Sequence, residues 1–134
     1  MTQEEYELLK ELLLKDLCAR LPYGVKIAKR QYNYCNSLTL TGIVGDRCYF
    51  NDNPRYDGDC PIDEIKPYLL PISSMTEEEQ RTLDSMCNGV EMVSRLSGLK
   101  MFDKAFNWLN KNHFDYRNLI DKNLAIDCTN LNIY

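Results

Sequence analysis

YGVKIAKRQYNYCNSLTLTGIVGDRCYF, residues 23–50, decides the fold. Within it YGVKIAKR, SLTLTGIVG and RCYF are short runs rich in β-branched and aromatic residues, parted by Asn, Ser, Gly and Asp. That composition suits a pleated, half-buried surface, and the breaks suit turns. Gly45-Asp46 is a tight-turn signal between the second and third runs. NDNPRYDGD (51–59) reads as a loop by every local signal. In CPIDEIKPYLLP (60–71) the prolines leave room for a short edge strand and a turn of helix. Residues 22–71 are therefore expected to form a small antiparallel sheet, SH3-like or a partly open barrel.

Helices are expected on both sides. Thr2 followed by Glu5 is a capping box, and the helix it opens runs to about Arg20. At about 100° per residue, Tyr6, Leu9, Leu13 and Leu17 share a stripe that Leu8 and Leu12 widen. Leu21-Pro22 ends it, because a residue before proline disfavours the α region. Thr76 with Glu79 is a second capping box, opening a helix to about Met86 that stops near Asn88-Gly89. Residues 90–97 suggest another helical turn. A third helix, about 99–112, gathers Met101, Phe102, Ala105, Phe106, Trp108 and Leu109 on one arc, the pattern of a buried helix. Asp115 can cap a short helix over 115–122, with Asn123 in the left-handed position that ends it. LAIDC (124–128) reads as a last strand, and residues 129–134 as a loose tail. The fold class is α+β in a single domain over 1–134.

Composition narrows the functional classes. The chain has 134 residues, 44% apolar and 27% charged, the make-up of a globular domain with one core. Net charge is −4 and the signs are mixed, so no block is basic enough to track a phosphate backbone. The acidic start MTQEEYELL lacks a secretory n-region, and no apolar run approaches the roughly 20 residues that span a bilayer. A cytoplasmic location is expected, with Cys18, Cys35, Cys48, Cys60, Cys87 and Cys128 reduced. No C-x-x-C pair offers a tetrahedral metal two thiolates, and a zinc site from Cys35, Cys48, Cys60 and His113 ranks below plain burial of small thiols.

His113 is the only histidine, and it projects inside the apolar arc of the third helix. The expectation is a partly buried imidazole bonded to backbone or to Asp115. A catalytic role would need a nucleophile and an orienting acid, and no G-x-S-x-G elbow is present. Asp52, Asp57 and Asp59 share a loop but miss the spacing of a calcium loop. No phosphate-cradling glycine motif occurs. Neither a cofactor nor a metal is therefore expected. Aromatics beside cations remain as a binding signal: Tyr32, Tyr34, Tyr49 and Tyr56, with Arg47 and Arg55. Such a surface suits a protein interface and also the stacking of single-stranded nucleic acid.

EIKPYLLPISSMTEEE (64–79) and WLNKNHFDYRNLIDKNLAID (108–127) together resemble a widespread group of short, uncharacterised proteins encoded by Bacteroidetes bacteria and their phages. PYGVK (22–26) is similar to an element near the beginning of those proteins. Asn123 stands where they usually carry glycine, and Leu70 where they often carry arginine. The resemblance implies a mobile-element setting and no catalytic role. The expected function is a non-enzymatic phage or prophage accessory protein that binds a host protein in the host cytoplasm. Inhibition of a host defence system, in the manner of an anti-CRISPR, is the form it would take. Nucleic-acid or nucleotide binding by the tyrosine-bearing sheet is the alternative. The width of the leucine stripe on the first helix adds a homodimer as a further partner reading, and no membrane partner is expected.

Overall fold

The computed structural model describes residues 2–30, 33–34, 36–50, 58–87 and 95–134. Its α1 (Gln3–Arg20) begins as the sequence predicts, with the Thr2 hydroxyl accepting from Glu5 N–H and the Glu5 carboxylate accepting from Thr2 N–H. Leu13 and Leu17 enter the core and Leu12 and Leu14 pack at its margin. Leu8 points out, 65% exposed, so most of the leucine face packs within the chain itself. After Arg20 a 3-10 turn, Leu21–Tyr23, leads through Gly24 at φ 69° into the sheet.

Among the described residues seven strands follow: β1 (Lys26–Lys29), β2 (Leu38–Val44), β3 (Arg47–Phe50), β4 (Gly58–Pro61), β5 (Ile65–Pro71), β6 (Phe114–Asp115) and β7 (Ile126–Asp127). Within residues 22–71 the order β4-β3-β2-β1-β5 is antiparallel throughout, as expected, and Gly45 at φ 60° makes the β2–β3 turn. Three expectations need correction. The sheet is mixed rather than antiparallel, because β6 and β7 join β5 in parallel. Strand β4 begins at Gly58, inside the stretch read as loop. And β5 is the most connected strand, pairing with β1, β6 and β7, although it carries Pro67 and Pro71.

Hydrogen-bond alternation explains how proline sits there. Lys26 N–H points toward β5, so Ile27 N–H points away, and Pro67 opposite Ile27 occupies a position that asks for no donor. The same reasoning covers Pro61: Ile62 N–H donates to Asp46 C=O at 2.8 Å, which makes the neighbouring Arg47–Pro61 pair a non-bonded one. Leu70 N–H donates to His113 C=O, whereas Cys128 N–H donates to Leu69 C=O. Those two β5 groups belong to one peptide unit and point opposite ways, so β6 and β7 flank β5 on opposite edges.

The second capping box is also present: Glu79 N–H donates to the Thr76 hydroxyl and Thr76 N–H to Glu79, opening α2 (Glu77–Cys87). The third helix, α3 (Arg95–Lys111), starts four residues earlier than predicted and runs through Gly98. The expected turn over 90–97 falls partly outside the described residues and otherwise within α3. No helix forms over 115–122. Phe114 and Asp115 are extended in β6, and the Asp115 carboxylate accepts from Leu119 and Ile120 N–H at 2.8 and 2.9 Å to hold a chain of turns. Asn123 does take the left-handed conformation, at φ 59°.

One buried polar cluster joins the ends of the chain. Arg20, fully buried, donates from Nε to Asp16 at 2.9 Å and from Nη2 to Phe114 C=O at 2.6 Å. Arg117 donates to the other Asp16 oxygen at 3.0 Å and to the Tyr116 hydroxyl at 2.8 Å. The predicted loose tail is instead anchored. The Tyr134 hydroxyl accepts from Lys26 N–H and donates to Tyr68 C=O, both at 2.9 Å, where the β1–β5 ladder would continue.

Two variants and a surface control test these ties by urea denaturation. Asp16→Ala strands Arg20 in the core and is expected to cost about 3–5 kcal/mol, whereas Asp59→Ala, which breaks the solvent-exposed Arg47–Asp59 pair, should barely move the midpoint. Tyr134→Phe keeps its ring but orphans two backbone groups, for a loss of about 1–2 kcal/mol.

Candidate functional site

The residues singled out as a binding surface do not form one cluster. Arg47 and Tyr49 alternate outward from β3, with Val44 opposite Arg47 and Asp59 opposite Tyr49. The Arg47 guanidinium donates to Asp59 at 2.7 Å, which raises the Arg47 pKa further and neutralises the cation. Gly42 lies across from Tyr49 on β2. Tyr34 is elsewhere: it packs with Ala28, Tyr68 and Cys128 near β5, and the Lys66 ammonium lies 4.5 Å from its ring centre. Tyr32, Tyr56 and Arg55 lie outside the described residues, as do Cys35, Asp52 and Asp57. Two strands separate β3 from β5, so Tyr49 and Tyr34 belong to different parts of the sheet.

The groups considered for chemistry are placed in packing roles. His113 has a left-handed backbone, φ 65°, and its ring stacks on Tyr134 with centroids 3.5 Å apart and planes at 5°. Its Nδ1 is buried and takes no bond from Asp115, which is engaged with Leu119 and Ile120, correcting the expected pairing. Burial, with a smaller contribution from the Arg20 charge, pushes the imidazole pKa down to about 4. Burial likewise pushes the Cys48 thiol up to about 12 and that of Cys128 up to about 11, away from the nucleophilic thiolate. Cys48 and Cys60 face each other across β3 and β4 in the core. Among the described residues no group of histidine, cysteine and carboxylate side chains is arranged to hold a metal ion, and no helix is long and apolar enough to cross a membrane.

A surface that the sequence placed in the interior appears instead on α3. Ala105 and Leu109 are buried and Met101 and Trp108 half-buried, Trp108 stacking on Phe114 at 5.7 Å. Phe102 and Phe106, expected to be core, are 48% and 46% exposed, and Leu99 is 66% exposed. Spaced three and seven residues from Leu99, they form one line along the helix. Phe106 continues it onto Tyr116, 5.2 Å between centroids, and Tyr116 carries the Arg117 guanidinium 4.6 Å over its ring. Arg117 is held in place by Asp16, so the far end of the line has a fixed cationic head. Helical periodicity was the available signal for this line; it groups the side chains without saying which edge of the arc meets solvent.

No family model, curated protein or solved structure matches the chain.

His113 supplies the pH test. Its pKa is below the usual 6.5 in the folded state, so on acidification the unfolded chain takes up the proton first. Stability is full above about pH 6.5 and is lost as pH falls toward 4, by about 2 kcal/mol after allowance for partial solvation of the ring. In His113→Asn, which tolerates the left-handed backbone, the wild-type excess slope of stability between those pH values should vanish in urea titrations.

Proposed function

We propose that this protein acts by binding another protein, with the exposed line Leu99–Phe102–Phe106 of α3 as its docking surface. The observation that carries the reading is the exposure of those three large apolar side chains in one row. Single exposed apolar residues are ordinary, but an ordered row of them on one helix is how amphipathic helices enter a partner's groove. Tyr116 and Arg117 extend the row, and aromatic and arginine side chains are those on which binding energy concentrates. A non-enzymatic role agrees with a histidine stacked on tyrosine and thiols held well above neutrality. The resemblance of residues 64–79 and 108–127 to phage and prophage proteins sets that binding in a host cell. Inhibition of a host defence machine is the form we favour. Arg47 is matched by Asp59 beside Tyr49, which weakens the alternative of nucleic-acid stacking on β3.

The test compares capture from host lysate by the tagged wild type, by Leu99→Glu/Phe102→Glu and by Tyr49→Ala. A specific partner that the α3 variant loses by about tenfold or more, at an unchanged melting temperature, and that Tyr49→Ala retains supports the reading. Equal recovery by all three forms, no partner at all, or loss only with Tyr49→Ala together with salt-sensitive oligonucleotide binding overturns it.

A further inference from the structure

A second site lies away from α3, between α1, the 3-10 turn Ile62–Glu64, the start of β5 and the turn at Asn123-Leu124. It is a cavity of about 200 Å³ whose floor is Leu9, Leu13, Ile65 and Leu124. An engineered apolar cavity of about 150 Å³ holds a benzene ring, so this one has room for a single ring or a branched aliphatic body with a small head group.

The rim decides which head group. The charged residues among its lining are Lys10, Lys66 and Asp63. The Asp63 carboxylate already accepts the Tyr6 hydroxyl, a bond that raises the Tyr6 pKa and fixes both groups at the mouth. Lys66 donates to the neutral Asn123 Oδ1 at 3.0 Å and lies over the Tyr34 ring, and among the described residues no carboxylate forms an ion pair with it. Lys10 reaches Asp46 at 3.3 Å, but that carboxylate is 64% exposed, lies outside the lining, and holds the lysine only as a solvated surface pair does. Counted among themselves, the lining residues thus join an apolar floor to two lysines and one carboxylate. A cation would meet that excess of positive charge, and a neutral apolar molecule would leave Lys66 partly desolvated without a counter-charge.

We propose that this cavity binds a small monocarboxylate with an apolar body of about one ring, its carboxylate received by Lys66 and Lys10 and its body by the leucine and isoleucine floor. The site stands apart from the α3 surface, so either proposal can fail without the other. Phenylacetate is the probe, and the measurement is the movement of backbone amide resonances in the full chain. Saturable shifts are expected at Tyr6, Lys66, Asn123 and Leu124, in the millimolar range suited to so small a ligand. 2-Phenylethanol, of similar shape without the charge, should bind about tenfold more weakly. Lys66→Met should lower phenylacetate affinity about fivefold or more while leaving the spectrum otherwise folded. Leu9→Trp, placed to fill the cavity from α1, should abolish the shifts; if it proves unfolded, the Lys66→Met comparison stands alone. Absence of saturable shifts, equal affinity for the alcohol, or an undiminished response in folded Lys66→Met overturns the proposal.

Discussion

Arg20 is the residue on which the assembly of this chain turns. It sits in the last turn of α1 with no exposure, where each unmet guanidinium donor is costly. Of its three nitrogens, Nε and Nη2 find partners while Nη1 has none among the described residues. Asp16, one turn back on α1, meets one of them, and the Phe114 carbonyl, from the far end of the chain, meets another. Arg117 then engages the second Asp16 oxygen, and Tyr116 lies under both guanidinium groups, 5.4 Å from Arg20 and 4.6 Å from Arg117. The cluster is therefore not a local helix pair. It fixes where residues 114–117 lie relative to α1, and with them β6, the neighbouring Trp108–Phe114 stack and the end of α3. A buried ion pair of this kind is weak evidence of net stabilisation, since the desolvation cost is large. Its consequence is selectivity of arrangement: any packing that moved Phe114 would leave a second donor group of Arg20, Nη2, without its partner in the core.

Two distant stretches gain a structural meaning from this. Residues 64–79 supply β5 and the cap of α2, and residues 108–127 supply β6, the Asp115-held turns and β7. They are the two halves of one parallel junction. Between β6 and β7, Asn123 provides the left-handed turn that glycine would also provide. The same stretches carry Tyr116 and Arg117 beside the α3 row and Lys66 at the cavity, so one junction positions parts of both proposed sites.

Where interactions are local, the sequence was readable. Both capping boxes and the Gly45-Asp46 turn act across two to four residues, and each is found where the pattern predicts it. Helix α1 also stops at Arg20, although Leu21 before Pro22 keeps a helical φ of −51° and ψ of −45° and the chain tightens into a 3-10 turn instead of leaving the α region. Long-range pairing was opaque. A two-residue strand such as Phe114–Asp115 has no periodicity of its own and exists because Leu70 N–H and Arg20 Nη2 reach its backbone region. Nothing near Asp16 and Arg20 in the sequence announces that the Phe114 carbonyl lies beside them. Pro67 and Pro71 argued for an edge strand, and only the alternation of donors against β1 shows why Pro67 is harmless inside. Tyr134 looked like the end of a loose tail because its two backbone partners are 66 and 108 positions away.

The same distinction bears on α3. Periodicity placed Phe102, Phe106, Ala105 and Leu109 on one arc, and all four do lie there, but an arc of about 160° is wider than one packing contact can cover. Ala105 and Leu109 take the contact because the small Ala105 lets the helix approach closely and Leu109 fills the space beside it. Phe114, already fixed by Arg20, draws Trp108 to the opposite flank. The helix is thereby rotated so that the Phe102 edge of the arc turns outward. The outward row of α3 is thus set by the Arg20 cluster as much as by its own residues: with Trp108 held on Phe114, the helix cannot bury Phe102 without giving up that stack.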